Sequence, residues 1–183
     1  MNSLTALKLN AMSNTAPFLA IRFAQRFGIS NPSPRYVEAI SRSFHTGKFI
    51  YDDGGEEIVF GTNECGDLGA MVACILLDPE ARSVVLDNDP THGSLKEPLL
   101  KITGLLRSLG MQLLPTVPWV EFGFNFGVLI GQMAYEIPSV FSFFLPEYQP
   151  AGTVTRSSLV APEAQVLTGP RIIDSFNGIF SLI

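Results

Sequence analysis

Asn31-Pro32-Ser33-Pro34-Arg35-Tyr36-Val37-Glu38-Ala39-Ile40-Ser41-Arg42-Ser43-Phe44-His45-Thr46-Gly47 is one helix written out with its start and its stop. Ser33 is a preferred N-cap residue, and Pro34 has the backbone angle of a first helical position. Tyr36, Val37, Ile40 and Phe44 recur at spacings of three and four, which puts them on one face. The helix is expected to run to about His45, and Gly47 closes it. This stretch sets the fold class as mainly α-helical, and the neighbouring segments agree.

Upstream, Asn14-Thr15-Ala16-Pro17 opens a helix capped by Asn14 or Thr15. Phe18, Leu19, Ile21, Phe23 and Phe27 are its apolar residues, and Gly28 is read as its C′ glycine. Downstream, Lys48 to Tyr51 and Glu56 to Phe60 flank Asp52-Asp53-Gly54-Gly55, which reads as a β-hairpin. Gly66-Asp67 caps a helix whose apolar face is Leu68, Met71, Val72, Ile75 and Leu76. Asp78-Pro79-Glu80 restarts the chain as a short helix through Leu86, followed by a polar loop from Asp87 to Gly93. Ser94 to Glu97 has capping-box spacing, but Pro98 would lose a helical bond at the fourth position. The regular helix therefore starts near Pro98 and runs to Leu109, with Gly110 as C′.

From Met111 the pattern changes. Prolines at 115, 118, 138, 146 and 150 exclude a long helix. Val120, Phe122, Phe124 and Phe126 alternate as in a strand. Phe141, Phe143, Phe144 and Leu145 form an aromatic cluster. Ala161-Pro162-Glu163 begins a short helix, and Gly169-Pro170 starts the last one, with Ile172, Ile173, Phe176, Ile179, Phe180 and Leu182. The organisation expected is a single domain, or the C-terminal fragment of a longer one. Residues 14–110 form its helical part, 111–160 an irregular Pro/Phe-rich segment and 161–183 the C-terminal helices.

The 183 residues are 46% hydrophobic and 16% charged, against the ~25% charge usual for soluble domains. That excludes intrinsic disorder. A net charge of −5 and the lack of a basic stripe argue against nucleic acid as a partner. Arg22, Arg26, Arg35 and Arg42 read as a solvated face. The N-terminus has no basic segment followed by a continuous apolar one, so it does not read as a signal peptide. The stretch between Glu121 and Glu136 is too short and polar for a transmembrane segment. Two cysteines make no disulfide framework. Cys74 reads as a buried thiol, and a Cys65–Cys74 bridge would need Cα atoms within ~7 Å.

Four motifs in order resemble the C-terminal part of the DUF1800 family of bacterial proteins of unknown function. They are Asn31-Pro32-Ser33-Pro34-x-Tyr36-Val37, then Gly66-Asp67-Leu68 through Ile75-Leu76-Leu77-Asp78-Pro79-Glu80-Ala81-Arg82. Gly93-x-Leu95-Lys96-Glu97-Pro98 and Gly131-Gln132-x-x-Tyr135-x-x-Pro138-x-Val140 follow. The resemblance spans about residues 14 to 183. It implies a mainly helical fold within a longer protein, often exported, and it transfers no catalytic residue. Where many members have Gly-Trp-Pro, this chain has Ser142-Phe143-Phe144-Leu145-Pro146.

The most polar stretch is Asp87-Asn88-Asp89-Pro90-Thr91-His92-Gly93. Asp87 and Asp89 could offer hard oxygens to a divalent metal. An EF-hand is excluded, because His92 and Pro98 stand where its glycine and bidentate glutamate belong. The alternative, which we favour, is a solvated turn. Glu97 would serve as a general base, with His92 beside it, in a metal-assisted hydrolase; otherwise it complements a helix dipole. Arg82 and Arg107 are the cations that could pair with Asp87 or Glu97. No Ser/His/Asp triad or phosphate-binding glycine loop is spelled out, so no catalytic or cofactor-binding residue is assigned.

Apolar stripes occur on nearly every element, and the last is still amphipathic at the end of the chain. The expectation is a structural or protein-interaction region. Its partner would be the N-terminal part of the family protein or another protein subunit. A third reading is a small apolar-ligand module around the phenylalanines.

Overall fold

The computed structural model describes residues 14–52, 54–110, 130–133, 135–140 and 142–180. The described residues are about 51% helical, with one two-stranded antiparallel sheet among them, so this is a mainly α protein with a short β-hairpin. It divides into two compact units, residues 1–94 and 95–183.

The first unit is built on α1 (Thr15–Phe27), α2 (Pro34–Thr46) and α3 (Leu68–Leu77), which pack pairwise. In α2, Ser33 Oγ accepts from the Tyr36 N–H at 3.1 Å, and Pro34 occupies the first turn. Gly47 ends it at φ +63, a left-handed conformation that glycine adopts without a Cβ clash. Tyr36, Ile40 and Phe44 are buried, as the stripe requires. Asp67 caps α3 through the Ala70 N–H at 3.0 Å. The hairpin pairs β1 (Phe49–Asp52) with β2 (Glu57–Phe60), Phe49 opposite Phe60 and Asp52 opposite Glu57. Asp52 Oδ1 accepts from the N–H groups of Gly54 and Gly55 and so holds the turn.

α1 departs from the sequence reading in how it packs. Its buried residues are Ala16, Ala20 and Ala24, while Phe18, Ile21 and Phe27 are exposed. Small residues one turn apart leave room for a neighbouring helix backbone, and that close approach outweighs the larger area of the phenylalanines. The Asn14 side chain makes no cap, and Gly28 sits at φ −137 rather than in the left-handed region. In α3 the core takes Ala70, Met71, Cys74 and Ile75, while Leu68 and Leu76 stay exposed. A helix apolar on every side has no periodicity to announce its inner face.

The short helix after Asp78 is α4 (Pro79–Arg82) and stops well before Leu86. Ser83 is extended, Val84 and Val85 are exposed, and a 3-10 turn covers Leu86–Asn88. Adjacent β-branched residues at a water-facing position gain little from helix.

The second unit contains α5 (Pro98–Ser108), the one-turn α6 (Thr153–Arg156), a 3-10 turn at Pro162–Gln165 and α7 (Gly169–Phe180). Gly110 at φ +68 follows α5. The alternating Val120–Phe126 stretch, Phe141 and Leu182 lie outside the described residues. Of the aromatic cluster, Phe144 is buried, Phe143 half-buried and Leu145 exposed. Cys65 and Cys74 are thiols, not a disulfide. No helix among the described residues is long and apolar enough to cross a membrane.

Candidate functional site

The polar loop of the first unit folds as a turn. Asp89 Oδ1 accepts from the Thr91 N–H at 2.8 Å and from Thr91 Oγ1 at 2.7 Å. These donors hold its carboxyl below the ordinary carboxylate value. Asp87 is exposed in the 3-10 turn. His92 donates its N–H to the Asp89 carbonyl, and its Nε2 is buried with no hydrogen-bond partner among the described residues. Among the described residues, no three His, Cys, Asp or Glu side chains converge as around a metal ion.

The densest polar constellation lies elsewhere in this unit and joins two of the motifs. Asp78 caps α4 by accepting from the Glu80 N–H at 2.8 Å, which turns both carboxylates toward the start of α2. Arg35 meets them there. Its Nη2 donates to Asp78 Oδ1 at 2.5 Å and to Glu80 Oε2 at 3.0 Å, and its Nη1 donates to Asp78 Oδ2 at 3.1 Å. Glu80 also accepts from the Ser33 N–H at 3.0 Å and from Ser33 Oγ at 2.5 Å. One residue on, the buried Tyr36 hydroxyl donates to the Ile75 carbonyl at 2.5 Å.

The electrostatics match. The hydrogen bond to Asp78, reinforced by Glu80, holds the Arg35 guanidinium above its already high ordinary value. Burial, with the nearby Asp78 charge, pushes the Tyr36 phenol up. All four carboxylate oxygens have donors, and the Ser33 hydroxyl both donates and accepts. Acceptors filled in this way hold two segments together; they do not leave a carboxylate poised to take a proton from a substrate. Arg35 lies on the solvated face that spacing suggests and in addition belongs to an interlock. Arg42 matches that face as well, pairing with Glu38 one turn away at 2.8 Å. Arg82 stacks over the Tyr51 ring and hydrogen-bonds its hydroxyl.

A second interlock lies in the second unit. Glu97 precedes α5 and is buried, yet its side chain makes no cap. Gln132 does that work: its Oε1 accepts from the Leu99 N–H at 2.9 Å, and its Nε2 donates to Glu97 Oε2 at 2.8 Å. The neighbouring Gly131, at φ +70, faces Arg171 so closely that a Cβ there would fall 2.1 Å from Nη1. The general-base and dipole readings of Glu97 both missed Gln132. The one available signal was the Gly131-Gln132 pair, a glycine able to take the left-handed backbone beside a polar residue.

The family model described as a protein of unknown function, DUF1800, matches residues 5–180. The chain belongs to the DUF1800 family. No curated protein and no solved structure matches it significantly. In this DUF1800 protein residues of the four motifs meet at the two interlocks: Ser33, with Arg35 between the motif positions, against Asp78 and Glu80, Tyr36 against the Ile75 carbonyl, and Glu97 against Gln132.

The helix α7 turns an apolar face outward in this DUF1800 protein. On α7, Ile172, Ile173, Phe176 and Phe180 are 40%, 63%, 58% and 73% exposed. They sit at spacings of one, three and four and so form one stripe. Arg171, Asp174, Ser175 and Gly178 are the half-buried residues of the same helix. The amphipathic pattern is thus turned with its polar side toward the protein.

Proposed function

We propose that this region of the DUF1800 protein is structural and interactive, with the outer face of α7 docking onto an apolar surface of another polypeptide segment. The exposed stripe of Ile172, Ile173, Phe176 and Phe180 carries the reading. Fully burying side chains of this size contributes about 1.5–3 kcal/mol each, enough to hold a helix against a partner. Contiguous apolar exposure of this kind marks interaction surfaces. The net charge of −5 favours a protein partner over nucleic acid. The filled interlocks support a scaffold role.

The test is light scattering after size-exclusion chromatography, together with bis-ANS binding, on the chain and on a Phe176→Ser/Phe180→Ser variant. The reading expects self-association or dye binding by the parent, reduced in the variant at unchanged near-UV circular dichroism. A monomer that binds no dye would overturn it.

A further inference from the structure

The loop from Gly61 to Asp67 folds back on the C-terminal end of α2. The Gly66 N–H donates to the Phe44 carbonyl at 2.8 Å, and the Asn63 N–H donates to the Gly47 carbonyl at 2.9 Å. At Gly47 the two backbones are so close that a Cβ would lie 2.0 Å from the Glu64 carbonyl oxygen. Asp67 ties off the loop, accepting from the Thr62 N–H and hydroxyl at 2.7 Å each. These anchors set Cys65 Sγ 3.8 Å from His45 Nδ1, with both residues exposed. The other thiol, Cys74, is fully buried.

We infer that Cys65 and His45 form a thiol–imidazole pair that makes Cys65 a site of covalent modification by low-molecular-weight disulfides. A thiolate is the attacking species, and accessible cysteines beside histidine are the ones that react. In the tautomer with its proton on Nε2, His45 Nδ1 accepts the Cys65 proton. The Sγ lone pair then attacks one sulfur of an RS–SR disulfide. The Sγ–S bond forms as the S–S bond breaks, and the RS⁻ leaving group takes up the proton from His45. Cys65 is oxidised to the mixed disulfide and half of the reagent is reduced to thiol, so no further oxidant is needed. This site is independent of the α7 face.

The test follows release of the coloured thiolate when excess 5,5′-dithiobis(2-nitrobenzoate) meets the whole chain, folded and in urea. The inference expects one rapid equivalent from the folded chain, faster than the same thiol reacts in urea. Cys65→Ser removes that phase, and His45→Gln slows it by about tenfold or more. Cys74 reacts when the chain unfolds. A folded rate no faster than the unfolded one, or an unchanged rate in His45→Gln with circular dichroism intact, would overturn the inference. Mass mapping of the first adduct to Cys74 would overturn it equally.

Discussion

Arg35 grips Asp78 with two nitrogens on two oxygens, at 2.5 and 3.1 Å, across 43 residues of sequence. Asp78 is almost wholly buried, whereas the Arg35 side chain is half in water. Breaking the pair from the arginine side leaves a buried carboxylate without its cation. Arg35→Ala should therefore cost about 1–3 kcal/mol, the lower end reflecting water's access to the site. Glu38→Ala breaks an exposed pair and should cost no more than about 0.5 kcal/mol. Urea unfolding of both variants measures the contrast.

Asp67 carries the clearest pH dependence. Hydrogen bonds from the Ala70 N–H first, then from Thr62, bring its carboxyl from the ordinary 3.8 down to about 2. A value depressed in the folded state contributes stability that is complete above the ordinary value and is lost as pH falls through the folded one. Asp67→Ala should therefore be destabilised relative to the parent at neutral pH, and the gap should narrow between about pH 4 and pH 2. Unfolding midpoints across that range decide the point.

In α1 the small residues carry the packing. Ala20→Leu should destabilise by about 1–3 kcal/mol, because there is no space for the added carbons. Phe18→Ser, on the exposed side beneath the Arg22 guanidinium, should stay within about 0.5 kcal/mol. Equal losses at the two sites in thermal unfolding would mean the helix face is wrongly assigned.

Gln132 satisfies two groups at once. Gln132→Ala should cost about 1–3 kcal/mol, since the buried Glu97 carboxylate loses a donor and the start of α5 loses its cap. Gly131→Ala should cost about 1–2 kcal/mol from the left-handed backbone alone, with displacement of Arg171 in addition. Chemical denaturation of each variant gives the values.

The Asp89 turn separates the two readings of the polar loop. If the carboxylate serves Thr91, Asp89→Ala lowers the melting temperature equally in EDTA and in added Ca²⁺, Mg²⁺ or Zn²⁺. Cation-dependent stability that disappears in the variant would instead favour the metal site that Asp87 and Asp89 suggest from sequence.

The start and stop of α2, the Asp67 cap, the hairpin and the break at Gly110 were legible in the sequence. Each depends on chemistry within a few residues: a serine hydroxyl reaching its third neighbour, or a glycine accepting positive φ. The interlocks were not legible. Ser33, Arg35, Asp78 and Glu80 are ordinary capping and surface residues until two segments of chain are brought together. Glu97 likewise reads as a first-turn acid until Gln132, 35 residues away, arrives beside it.

The sequence by itself determined the mainly helical class, the local boundaries and the family resemblance. These rest on short-range hydrogen bonding, steric restriction and motif order. Tertiary structure alone decided which side of each helix meets the core. Periodicity defines a stripe but does not say what covers it. α1 turns its alanines inward because close backbone approach packs more densely than phenylalanine there. α3, apolar on all sides, is oriented by its neighbours. α7 leaves Ile172, Ile173, Phe176 and Phe180 in water because its half-buried side is the polar one. The Cys65–His45 approach belongs to the same class: it exists because a glycine-hinged loop closes onto the end of α2, a long-range contact that no local signal encodes.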